Sequence, residues 1–83
     1  MDYYLFSAQN ATIAQKMVQI LQECGIAARM QRMPAALTRQ GCGFAVRISR
    51  EDGYEAYRCL SAENVVSKHI YLSENRVYRE VIL

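Results

Sequence analysis

The sequence predicts an α+β domain, a four-stranded antiparallel sheet with two helices on one face. Three observations carry that expectation. Residues 26–33 and 43–49 alternate apolar and polar side chains, as half-buried strands do. Stretches beginning near Asn10 and near Glu51 space their apolar residues at helical intervals. The 83 residues, 52% of them hydrophobic, suffice for one modest core. The expected division is a single domain over 1–83, with its core over about 2–73 and a tail over 74–83.

Residues 2–7, Asp-Tyr-Tyr-Leu-Phe-Ser, read as a first strand rich in aromatics. Asn10 and Thr12 suit a helix N-cap, because their short polar side chains accept from orphan amides. Ile13, Met17, Ile20, Leu21 and Cys24 then recur on one helical face, and Gly25 supplies the stop. In the second strand Ile26, Ala28 and Met30 face one way, and Ala27, Arg29 and Gln31 the other. Pro34 ends it, leaving 34–42 as a loop. In the third strand Phe44, Val46 and Ile48 oppose Ala45, Arg47 and Ser49. Glu51 and Asp52 suit the positive end of a second helix, with Tyr54, Tyr57 and Leu60 as its expected buried stripe. Residues 65–72 read as a fourth strand, and Val77–Leu83 as an apolar tail that packs as a short strand or helix. The order strand-helix-strand-strand-helix-strand is the ferredoxin-like βαββαβ pattern, with strand order 4-1-3-2. That topology brings the 34–42 hairpin and the start of the first helix to the same end of the sheet.

Composition excludes several classes. The net charge of +2 is too small to point to nucleic acid. Gln40-Gly41-Cys42-Gly43-Phe44-Ala45 echoes an RNA-binding strand motif, but Cys42 and Arg47 stand where stacking aromatics belong. No stretch has the apolar length of a membrane helix, and the start lacks the pattern of a secretory signal, so the expected location is the cytoplasm. There three cysteines are expected reduced. Cys24 and Cys59 read as packing residues, and their spacing from Cys42 does not fit a local zinc site. No cofactor or metal is expected. The single histidine, His69, is far from Cys42 in sequence, so no nucleophile–base pair can be read.

The candidate site is Cys42. Between Gly25 and Arg50 lie Arg29, Arg32, Arg39, Arg47 and Arg50, with no Asp or Glu. A thiol between Gly41 and Gly43 is sterically open, and surrounding cations favour its thiolate. The same glycines also fit a tight hairpin whose small turn residue is Cys42. Arg39 is placed to steady an anion, and Thr38 to donate a hydrogen bond. Arg29 and Arg47 fall on the strand face away from the helices, where they would bind an anion or partner, or simply meet water.

Gly25-Ile26, Pro34, Thr38, Cys42-Gly43 and Phe44-Ala45-Val46-Arg47-Ile48 together resemble a family of small bacterial domains described as putative selenium/sulfur carrier protein-like. The resemblance covers about residues 3–72. Ala35 stands where that family often has arginine, and Arg39-Gln40-Gly41 where serines are common. The resemblance implies a bacterial, cytoplasmic protein with a functional Cys42. It implies a carrier rather than a turnover enzyme: Cys42 would accept sulfur or selenium as a persulfide or selenosulfide and pass it to a protein partner. The alternative is a non-catalytic binding or regulatory module using Arg29, Arg47 and the exposed sheet. The apolar tail would allow a homodimer.

Overall fold

The computed structural model describes residues 1–40 and 43–83, with Arg39 and Gln40 described as backbone alone. Among the described residues five strands and two α-helices form an α+β fold: β1 (Tyr3–Ala8), α1 (Ala11–Glu23), β2 (Ala28–Arg32), β3 (Phe44–Ser49), α2 (Gly53–Ala62), β4 (Ile70–Glu74) and β5 (Val77–Val81). The sheet runs β2-β3-β1-β4-β5, with every neighbouring pair antiparallel. The expectation of four strands is therefore corrected to five. The tail contributes β5, which lies along β4 with Glu74 opposite Val77. The turn between them is Asn75-Arg76, both at positive φ (53° and 66°). Two consecutive left-handed residues make the hairpin turn whose twist matches the flanking strands. An arginine at the second position conceals that turn in the sequence, because glycine is the usual occupant.

Each helix is closed by a specific device. Asn10 Oδ1 accepts from Ile13 N at 2.9 Å and caps α1. At the far end Gly25 takes φ +78°, Gly25 N donates to Gln22 O, and Ile26 N donates to Leu21 O. This double bond satisfies the last carbonyls of the helix. Asn64 (φ 59°) repeats the arrangement after α2, with Val65 N donating to Leu60 O. The buried stripe of α2 is Gly53, Ala56 and Leu60. Tyr54 is 60% exposed and Tyr57 is 36% exposed, so the expected tyrosine stripe is corrected. The close approach of α2 to the sheet explains the small residues: a Cβ on Gly53 would overlap the Tyr4 ring.

The sheet buries side chains on both faces. Under α1 and α2, Phe6, Ala8, Val46, Ile48 and Ile70 pack with Ala14, Met17, Leu21, Ala56 and Leu60. On the second face Leu5, Met33, Ala45 and Tyr71 form a separate cluster, joined by Tyr3, Leu37 and Tyr78. Leu37 lies in a 3₁₀ turn, Ala35–Gln40, within the segment expected to be a simple loop. That turn lies against the face opposite the helices.

The cysteines bring the largest correction. Cys24 and Cys59, expected as reduced packing residues, form a disulfide with Cα atoms 6.6 Å apart. Cys24 is the C-cap of α1 and is exposed, while Cys59 in α2 is half-buried. The contact arises because α1 and α2 pack side by side over the sheet, which a 35-residue sequence separation conceals. No helix among the described residues is long and apolar enough to cross a membrane.

Candidate functional site

The central candidates, Gly41 and Cys42, lie outside the described residues, as does the side chain of Arg39. Their frame is described on both sides. Met33 N donates to Gly43 O at 3.0 Å and closes the base of the hairpin. Ala8 pairs with Phe44, so β3 begins beside the end of β1, where α1 also starts. Helix α1 covers one face there, and the 3₁₀ turn carrying Leu37 packs on the other. Thr38 Oγ1 donates to Ala35 O at 2.9 Å, so its hydrogen bond caps the turn.

His69 belongs to the same end of the sheet. It directly precedes β4, and its backbone exchanges bonds with Ser7: Ser7 N donates to His69 O, and His69 N donates to Ser7 Oγ, both at 2.9 Å. Its ring lies stacked near Tyr71, with centroids 6.1 Å apart. His69 Nδ1 lies 2.7 Å from Glu80 Oε2. A carboxylate on one ring nitrogen fixes the ring and directs the other nitrogen elsewhere. The sequence hides this pair because nothing local places the tail strand that carries Glu80 beside His69.

Arg29 and Arg47 are placed as expected on the second face, directly opposite one another in the β2–β3 register. They lie three residues along the strands from Arg32 and Phe44, a rise of about 10 Å from the hairpin end. Arg47 is not simply solvated. Its Cζ sits 3.8 Å from the centroid of the Tyr3 ring, within cation–π range. Arg32 lies over Phe44 at 5.5 Å, and Arg50 pairs with Asp2 at 2.8 Å and Glu74 at 2.9 Å. The acid-free run in the sequence is thus partly neutralised by Asp2 and by Glu74 of β4, and two more of its arginines lie over aromatic rings.

Tyr3 anchors a group that sequence reasoning missed. Its hydroxyl lies 3.0 Å from that of Tyr78, on β5. The bond to Tyr78 holds the Tyr3 phenol below its ordinary value, against partial burial, with Ser73 and the Arg47 charge adding to the effect. Sharing that bond pushes Tyr78 up to about 12, with burial adding to the shift. Two clefts flank Tyr3. One, of about 240 Å³, is lined by Arg29, Arg47 and Ser49 among others. The other, of about 370 Å³, is lined by Ser73, Arg76 and Tyr78 among others. The 75-residue separation of the tyrosines explains why no spacing argument found them.

The structure therefore brings Tyr3, Tyr78, Arg29 and Arg47 to one region of the second face, and His69 with Glu80 to the hairpin end. No curated protein and no solved structure matches the chain. A family model described as "Putative Se/S carrier protein-like" matches residues 3–72, a span holding all of β1 through α2, the Cys42 hairpin and His69. The chain belongs to that family.

Proposed function

We propose that this protein carries sulfur or selenium on Cys42. The observation that carries the reading is membership of a family whose matched span includes Cys42-Gly43. The cysteine's neighbours Gly41 and Gly43 leave the thiol open, and Arg39 supplies positive charge near it. In the transfer step the Cys42 thiolate attacks the outer sulfur of a donor persulfide. The new S–S bond leaves Cys42 as a persulfide, and the donor departs as a thiolate. A nucleophile on an acceptor protein then takes the outer sulfur and releases the Cys42 thiolate.

With Cys24 and Cys59 joined, Cys42 is the one remaining thiol of the three cysteines. The test therefore uses the oxidised wild-type protein. Its alkylation rate is followed against pH, and its mass is read after incubation with a small persulfide. An alkylation midpoint well below the ordinary thiol value of about 8.5, with one sulfur atom added at Cys42, is expected. An ordinary midpoint and no added sulfur would rule the reading out.

A second reading is favoured by the Tyr3 clefts. There the protein binds an anion or partner through Arg29 and Arg47 and performs no transfer. Arg47→Ala should abolish such binding, and Cys42→Ser should leave it intact; the carrier reading reverses both outcomes.

A further inference from the structure

We propose that Cys24 and Cys59 form a thiol–disulfide exchange site for a protein dithiol, distinct from Cys42 and independent of the carrier reading. Three observations carry it.

The first is access. Cys24 is exposed at the end of α1, and both cysteines line a surface groove of about 490 Å³ with Ile26, Asp52, Glu55 and Arg58. A thiolate must approach a disulfide sulfur directly, so an open sulfur is the first requirement for exchange. The second is the place of the bond in the fold. The core beneath the helices is made by Phe6, Met17, Leu21, Ile48, Ala56 and Leu60, with Cys59 packed only at its margin and Cys24 outside it. The domain can therefore pass between oxidised and reduced forms with its packing kept. The third is a preformed place for the reduced sulfur. Cys59 Sγ lies 3.5 Å from Ile20 O. The oxidised sulfur has no proton to donate to that carbonyl, and the reduced thiol has one.

The surroundings also set a direction. Cys24 is the more open sulfur, so it is the one attacked. Arg58 lines the same groove together with Asp52 and Glu55, so exposure rather than charge sets the direction. The partner's first thiolate attacks Cys24 Sγ, forming a mixed disulfide and expelling Cys59 as a thiolate. Cys59 takes a proton from water and donates it toward Ile20 O. The partner's second thiolate then attacks its own half of the mixed disulfide and releases Cys24. The Cys24–Cys59 pair has gained two electrons, and the partner dithiol has become a disulfide.

The test uses full-length Cys42→Ser protein, so its outcome does not depend on whether Cys42 carries sulfur. The oxidised protein is mixed with reduced thioredoxin as the dithiol probe, and the thiols appearing on this protein are counted with time by alkylation and intact mass, in the native state and in urea. Exchange at an accessible site should proceed in the native state within about a hundredfold of the unfolded rate. Slower native reduction than that would mean the bond opens only on unfolding and would overturn the proposal. In parallel, a thioredoxin whose second active-site cysteine is serine should be trapped on Cys24. The absence of an adduct, or an adduct on Cys59 alone, would overturn it equally.

Discussion

Removing the Cys24–Cys59 bond should cost the domain a large part of its stability through the unfolded state. The bond joins residues 35 apart, so it closes a loop spanning α1's end, β2, the hairpin, β3 and most of α2. The chain-entropy relation gives a loop of that length about 4 kcal/mol at 25 °C. A domain of this size is expected to hold roughly 4–12 kcal/mol in all, so over most of that range the reduced form should stay folded, with a smaller margin. In a domain this small the melting temperature should fall by about 15–30 °C. Urea denaturation of oxidised protein, reduced protein and the Cys24→Ala, Cys59→Ala double variant measures the effect. Cys24 is exposed and Cys59 only half-buried, so alanine leaves little cavity, and the double variant should match the reduced wild type. The slope of the transition should also steepen, because an uncrosslinked chain exposes more surface on unfolding. A loss below about 1 kcal/mol, with an unchanged slope, would refute the loop-entropy reasoning.

Two further outcomes follow from the packing and the tyrosine pair. The phenol of Tyr3 is held low and that of Tyr78 is raised to about 12 by the same hydroxyl contact. Spectrophotometric titration should therefore show one of the six tyrosines ionising ahead of the rest, and Tyr78→Phe should abolish that early step. The sign for stability follows: Tyr3 favours the folded state more as pH rises toward the ordinary tyrosine value, whereas Tyr78 withdraws stability between that value and about 12. Gly53→Ala should displace the Tyr4 ring from α2 and destabilise the domain by about 1–3 kcal/mol, the usual range for overpacking, read as a lower urea midpoint at constant slope.

The helical and strand periodicities were legible because they are local. Asn10, Met17, Leu21 and Gly25 announce α1 from cap to cap, and the alternation of Phe44, Val46 and Ile48 marks β3 with the correct inner face. What escaped depended on unusual occupants or distant partners. Arg76 in a left-handed turn position hid the hairpin that lays the tail strand along β4, and with that pairing went the contacts of Tyr78 and Glu80 with Tyr3 and His69. Leu60 is buried as its spacing indicates, but the larger Tyr54 and Tyr57 point outward because the closeness of α2 to Tyr4 admits only Gly53 and Ala56. Cys24 and Cys59 looked like core residues because nothing in a single chain segment says that two helices meet at their edges. Arg29 and Arg47 were placed correctly by alternation, while the ring beneath Arg47 came from the neighbouring strand. Cys42 and Gly41 remain readable from their sequence setting and family alone.

The opposition of Arg29 and Arg47 makes the two borders of the sheet behave differently. β2 is a border strand fastened only along β3, and a like-charged pair faces across that seam. The Tyr3 ring draws one guanidinium aside, but the repulsion is still felt through water and is screened by added salt. The β2 border should therefore loosen at low ionic strength and tighten as counterions gather. At the β5 border no such like-charged pair faces across the seam: Arg79 instead lies 3.5 Å from the Glu74 carboxylate, an attraction that salt weakens. Ionic strength thus acts with opposite sign on the two sides of one small sheet, and an anion seated beside Arg29 and Arg47 would do for the first seam locally what salt does in bulk.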